Sequence, residues 1–320
     1  MQYIKLGSSN LNVSRICVGG MSFGKPSSDF HEWTLEQEDT NKMVKCALDL
    51  GINFFDTANQ YSNGTSEEYL GKAIKKYVKR EDAIIATKVY FNEGKLSKNA
   101  INREIDLSIK RLGTDYVDLY IIHRFDYSTP IEETMEALHN LVKCGKVRAL
   151  GASAMYGYQF HNMQECADKN GFTKFVSMQN HYNLLYREDE RELIPVCKQY
   201  GVSLTPYSPL ASGRLSRLEW FSDSKRSATD KVAISKYDNT KEQDYEITKQ
   251  VYALAQKYEV SMSQIAIAWQ YAKGVASPIV GATKTKYLQD VVKAQYLTLT
   301  LEDMLLLEKF YIPHKVRGAL

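Results

Sequence analysis

The 320-residue chain sets 41 Lys+Arg against 38 Asp+Glu, a formal charge of +3, with 44% hydrophobic and 25% charged residues. That balance suits a soluble globular domain; its basic residues are interspersed with acids, which excludes an electrostatic partnership with nucleic acid or a membrane surface. The five cysteines (Cys17, Cys46, Cys144, Cys166 and Cys197) form neither CxxC pairs nor metal-ligand spacings, so a reducing compartment and no metal site are expected. No leader-like apolar stretch opens the chain and no apolar run reaches membrane-spanning length, so the expectation is a cytoplasmic protein.

Tyr3 to Arg15 reads as a hairpin turning at Gly7-Ser8-Ser9-Asn10. Eight short β-type runs follow: Ile16 to Gly19, Asn53 to Asp56, Ala83 to Val89, Val117 to His123, Val147 to Ala152, Phe175 to Gln179, Ser203 to Tyr207, and Pro278 to Gly281. Helical patterns separate them. Thr40 to Leu50 places Met43, Ala47 and Leu50 on one face, Ser66-Glu67-Glu68 opens a helix, Leu96 to Leu112 ends at Gly113, and Pro130 starts another. Eight strands that each feed a helix predict one (β/α)8 barrel domain over residues 1–320. A doubly wound dinucleotide fold is set aside, because Gly19-Gly20-Met21-Ser22-Phe23-Gly24 is not GxGxxG. The polar stretch from Gly213 to Asp244, including Ser222-Asp223-Ser224, predicts a long loop after the seventh barrel strand, on the face where such barrels bind ligands.

Reading the C-terminal ends of those strands yields Asp56, Lys88 and His123, each after an apolar run, with Tyr61 just beyond Asp56. This set suits reduction of a carbonyl, in which the oxygen needs a proton as hydride arrives at carbon. A tyrosine with a pKa near 10 is protonated but a weak acid, and an ammonium beside it stabilises its phenolate. Lys88 is placed in that role, with Asp56 as its counter-ion. His123 would hydrogen-bond the carbonyl oxygen or share in the proton transfer.

Phe55-Asp56-Thr57-Ala58-Asn59-Gln60-Tyr61 with Ser66-Glu67-Glu68, Ala86-Thr87-Lys88-Val89, and Tyr120-Ile121-Ile122-His123-Arg124 together resemble the aldo-keto reductase family over essentially the whole chain. His31-Glu32-Trp33-Thr34-Leu35 and Tyr182-Asn183-Leu184-Leu185-Tyr186-Arg187 resemble its branch of YajO-like reductases and potassium-channel β subunits. The channel subunits carry Asn where this chain has His123, which favours an enzyme over a cofactor-loaded regulatory subunit. The resemblance implies NADPH/NADP+ as cofactor and a small-molecule carbonyl substrate: aldehydes, ketones or sugar phosphates.

Cofactor contacts carry over by the same matching. The resemblance puts Gly20, Met21 and Asp56 beside the nicotinamide riboside, Ser153 and Gln179 on the carboxamide, and Tyr207 under the ring. It runs Ser208, Pro209, Leu210 and Ser212 along the pyrophosphate, with Arg214 as a further contact. Gly281, Thr283 and Lys284 take the adenosine 2′-phosphate, and Tyr287 and Asp290 lie near the adenine. Ala154, Tyr287 and Val291 depart from the family's usual residues. Phe23, Trp33 and Arg124 are candidates for the substrate pocket, as are Tyr90, Phe91 and Tyr156. Arg124 would hold a phosphate or carboxylate, or else form an ion pair with Asp126 or Glu132.

Overall fold

The structure is a computed structural model that describes residues 1–28, 30–221 and 225–318. Strands β1 (Tyr3–Lys5) and β2 (Asn12–Ser14) pair antiparallel as the expected hairpin. The barrel strands are β3 (Cys17–Gly19), β4 (Phe54–Asp56), β5 (Ile84–Val89), β6 (Val117–Ile122), β7 (Val147–Ser153), β8 (Phe175–Gln179), β9 (Ser203–Leu204) and β10 (Ile279–Val280). They form one eight-stranded parallel sheet in the order β10-β3-β4-β5-β6-β7-β8-β9. A parallel bridge from Tyr207 to Ile279 joins its two edges, and Ile279 N–H donates to Pro206 O at 2.9 Å, so the sheet closes. The last two strands are shorter than their sequence runs because Pro206 and Pro278 bring no N–H to the ladder.

Around the strands lie α1 (Gln37–Asp49), α2 (Thr65–Tyr77), α3 (Lys98–Leu112), α4 (Ile131–Lys143), α5 (Gly157–Asn170) and α6 (Leu193–Gln199). Then come α7 (Lys225–Thr229), α8 (Lys231–Tyr237), α9 (Lys241–Lys257), α10 (Met262–Ala272), α11 (Thr285–Val291) and α12 (Leu301–Glu308). The stretch expected as a long loop is therefore largely helical: α7, α8 and the start of α9 fall inside it, and Ser222-Asp223-Ser224 lie outside the described residues. Asp230 caps α8 by accepting from Ala233 N–H at 3.0 Å.

Two apolar clusters hold the layers together. The larger packs the helices on the outside of the sheet. The smaller fills the barrel interior, where Phe54, Ala86, Leu119, Ile121 and Ala149 meet Leu6, Leu11 and Val13 from the hairpin. The hairpin therefore plugs one end of the barrel. Its turn residue Gly7 has φ +53°, and a Cβ there would strike the carbonyl of Val176, so glycine suits the position twice over. Among the described residues no helix is long and apolar enough to cross a membrane, and no cluster of His, Cys, Asp and Glu could hold a metal ion.

Candidate active site

The open end of the barrel gathers the residues singled out at the strand ends. Asp56 closes β4, Lys88 lies in β5, His123 follows β6, and Tyr61 opens a tight turn ahead of α2 in which Ser62 and Asn63 hold positive φ of 47° and 54°. Lys88 is fully buried and its ammonium meets three acceptors: Asp56 Oδ2 at 2.6 Å, Thr57 O at 2.8 Å and the Tyr61 hydroxyl at 3.2 Å. An ammonium has three protons, so all are committed. The Tyr61 oxygen is an acceptor in this arrangement, and among the described residues its own proton is donated to none.

Asp56 is oriented from the other side, since Gln179 Nε2 donates to its Oδ1 at 2.8 Å. Burial works against the Lys88 ammonium, but the Asp56 charge and the hydrogen bonds to Asp56 and Tyr61 help to offset it, and its pKa stands above the ordinary lysine value. Burial raises the Tyr61 pKa, and Lys88 opposes the rise without reversing it. The expected lowering by lysine is thus present but outweighed, and the phenol stays protonated at neutral pH. His123 lies edge-on to Tyr61, with ring centroids 5.8 Å apart, and its Nδ1 is buried without a partner. Burial, then the charges of Lys88 and Arg124, push its pKa well below the usual histidine value, so the imidazole is neutral.

Residues expected to hold a cofactor lie on the same rim. Ser153 ends β7 and donates to Gln179 O at 2.8 Å, while no hydrogen bond among the described residues reaches Gln179 Oε1. Tyr207 lies parallel to His181 at 5.1 Å, which in turn stacks on Tyr186 at 4.2 Å, and the buried Tyr207 hydroxyl has no partner. Ser208 and Ser212 adopt positive φ of 58° and 52°, with Pro209 and Leu210 between them, so the chain turns sharply beside Tyr207. Gly281 is exposed, with open space where a Cβ would stand, and Lys284 beside it is exposed. Gly20 is buried against the Asp56 carbonyl, and Met21 and Thr283 are half-buried.

Other expected contacts are engaged elsewhere. Arg214 is buried and donates through Nε and Nη2 to Asp238 Oδ1 at 3.0 and 2.7 Å. Asp290 accepts from Ser261 Oγ at 2.5 Å and Gln264 Nε2 at 2.6 Å, which ties it to the start of α10. Tyr287 is exposed, with the Lys286 ammonium 5.5 Å from its ring centroid. Ala154 holds φ +43°, a left-handed conformation in which a Cβ is strained.

Of the pocket candidates, Phe23 is fully buried in the core and reaches no surface. Trp33 is nearly buried, 4.6 Å from the His31 ring and 4.2 Å from the Arg226 guanidinium. Arg124 pairs with neither Asp126 nor Glu132. Its Nη1 donates to His123 O at 2.8 Å, and the Asp126 carboxylate is occupied by Leu96, Ser128 and Thr129. Phe91, 45% exposed, lies 5.1 Å from the His123 ring, and Phe30 lies 6.0 Å from Tyr61, so both flank the reactive end.

Sequence reading missed Phe30, His181, Lys236 and Arg217. The Arg217 guanidinium lies against Gly213, its Nη2 donates to Trp220 O at 3.3 Å, and its buried Nε has no partner. The recurrence of arginine at Arg214, Arg217 and Arg226 was the available signal.

Sequence comparison agrees with this geometry. Residues 15–312 match the Aldo/keto reductase family. The aldo-keto reductase AMT2 of Alternaria alternata is 39% identical, the match covering 99% of this chain and 93% of that protein. The versiconal hemiacetal acetate reductase of Aspergillus parasiticus is 40% identical over 99% of this chain and 98% of its own length. The putative aryl-alcohol dehydrogenase AAD16 of Saccharomyces cerevisiae is 38% identical over 99% of both chains. With a closed parallel barrel, and an aspartate, a tyrosine and a lysine joined at its mouth beside a neutral histidine, this chain belongs to the aldo/keto reductase family.

Proposed function

We propose that the chain reduces aldehydes and ketones to alcohols with NADPH, with Tyr61 as the proton donor. The observation that carries this reading is the fully committed Lys88 ammonium, which fixes the Tyr61 oxygen while leaving the phenolic proton free. Bound NADPH supplies hydride to the carbonyl carbon. As negative charge develops on the carbonyl oxygen, Tyr61 transfers its proton there and becomes a phenolate beside the ammonium. Asp56 keeps Lys88 charged throughout, and Gln179 keeps Asp56 in place. Neutral His123 is suited to hold the carbonyl oxygen as a hydrogen-bond donor rather than to act as the acid.

The residues present fit the cofactor. Gln179 Oε1 and the Ser153 oxygen can accept from a carboxamide, and the Tyr207 ring offers a platform for a flat heterocycle. Arg217 is a better-placed cation for the pyrophosphate than Arg214, whose guanidinium is tied to Asp238. Exposed Lys284 suits the 2′-phosphate that separates NADPH from NADH.

The test is loss of NADPH absorbance in the presence of 4-nitrobenzaldehyde, run beside NADH. Turnover with NADPH, at least tenfold more efficient than with NADH, is expected. A protein that binds NADPH but turns over no aldehyde would overturn the assignment.

A further inference from the structure

Beside the reactive end lie two cations that the mechanism does not use. Arg124, directly after His123, satisfies one Nη on the His123 carbonyl and forms no ion pair among the described residues. Its guanidinium carbon lies 5.7 Å from the centroid of Phe91, the ring that packs against His123. Lys236 lies on α8, and Arg124 is near enough for its charge to act on it. Its Nζ lies 4.8 Å from the centroid of the Tyr207 ring and makes no hydrogen bond or ion pair to any described residue. Asp230, the acid whose charge acts on it, is spent on the α8 cap and on Arg226 Nε. A third cation, Arg317, joins this rim through Ser235 O.

Half-buried positive charges close enough to repel one another, with no counter-ion among the described residues, are costly to assemble, and an anion bound between them relieves that cost. Arg124 brings a planar fork suited to an oxyanion, and Lys236 a movable point charge on a flexible stem. We propose that Arg124 and Lys236 form an anion subsite at the barrel mouth, and that substrates of this chain carry a carboxylate or phosphate at the end remote from the carbonyl. The proposal rests on the carbonyl-reductase reading above. It assigns the substrate class through two side chains, one from the end of β6 and one from the helical segment after β9.

A pH signature accompanies it. Burial, then the charge of Arg124, lowers the Lys236 pKa to about 8, with Asp230 raising it and Arg317 lowering it further. Lysine is charged below its pKa, so the preference for anionic substrates weakens as pH rises through about 8, and what Arg124 contributes persists.

The experiment compares kcat/KM within matched pairs: 4-carboxybenzaldehyde against methyl 4-formylbenzoate, and glyceraldehyde 3-phosphate against glyceraldehyde. The protein is expected to favour the anionic member of at least one pair by about 10- to 100-fold. Which pair shows the larger ratio tells carboxylate from phosphate. Lys236→Met and Arg124→Met should each shrink the ratio, the double variant should bring it near one, and Lys236→Met should remove its pH dependence. Because each ratio is taken within one variant, a partly unfolded protein lowers both members alike. Ratios near or below one for both pairs overturn the proposal, as does a ratio that survives in the double variant. If no aldehyde at all is reduced, the functional reading fails, and the subsite is judged separately by calorimetric titration with benzoate and benzamide. Tighter benzoate binding that the double variant loses supports the subsite, and equal affinities overturn it.

Discussion

Strand β6 carries a buried polar cluster at each end, and the two clusters are finished differently. Near its start, Asp118 accepts from Arg80 Nη2 at 2.6 Å, Ile85 N–H at 3.0 Å and Arg148 Nη1 at 3.1 Å. Both arginines then lie over the Tyr116 ring, at 4.2 and 3.9 Å from its centroid. Every charge there is answered from within. At the other end, the Lys88 cluster is more deeply buried, yet the Tyr61 proton and His123 Nδ1 find no partner among the described residues. The difference separates a structural ion cluster from the one proposed above to be reactive. Both are paired, but only the Lys88 cluster leaves hydrogen-bonding capacity without a partner among the described residues.

The sharpest way to break this contrast is Tyr61→Phe, which removes only the hydroxyl. A fall in kcat of about 10²–10⁴ is expected, with the urea midpoint nearly unchanged. If the variant reduces 4-nitrobenzaldehyde as fast as the parent, Tyr61 is not the acid. Lys88→Met strikes the same cluster at its centre. It should abolish turnover and also cost about 3–5 kcal/mol of stability, because Asp56 is left as an uncompensated buried carboxylate. Adding Asp56→Asn should recover much of that stability in urea unfolding and none of the activity. Asp118→Asn tests the opposite end. A loss of about 1–3 kcal/mol is expected, discounted because Arg148 is half-exposed, with kcat unaltered. A drop in kcat matching the stability loss would erase the distinction between the two ends.

The smallest effect is a pH dependence of stability. Burial keeps His123 and His181 neutral by pushing their pKa values well below the usual range. Each binds its proton more weakly folded than unfolded, so unfolding takes up protons once pH falls below about 6.5. Stability is then lost downward from that point, at up to about 1.4 kcal/mol per pH unit for each histidine. Urea midpoints at pH 7 and 5.5 measure the slope, and His123→Asn should reduce it by one histidine's share.

The barrel, and the grouping of Asp56, Tyr61, Lys88 and His123 at its open end, were legible in the sequence for a simple reason. Each barrel strand is buried, so Phe54-Phe55, Ala83 to Ala86 and Leu119 to Ile122 appear as apolar runs, and the polar residue ending each run marks the mouth. Helices α7 and α8 were not legible. They are short, and α8 buries little besides Ala233 and Tyr237, so no apolar period announces it. The proline-truncated strands β9 and β10 were placed correctly but drawn too long. Partners fixed only by the tertiary fold were the hardest to foresee. Nothing local says that Arg214 would turn to Asp238, that Asp290 would tie to α10, or that Lys236 would reach Tyr207. The direction of the Tyr61 shift was also hidden, because it depends on how far burial outweighs the neighbouring ammonium.

The hairpin packed under the barrel has a consequence for the chemistry above it. With Leu6, Leu11 and Val13 seated among Phe54, Leu119 and Ile121, the barrel is a cup with a sealed floor rather than a tube. On the reading proposed above, cofactor, substrate and product would all pass through the open end, beside Phe91, Arg124, Tyr207 and Lys236. The order in which they enter and leave would then be imposed by traffic through that end: whatever lies deepest arrives first and departs last.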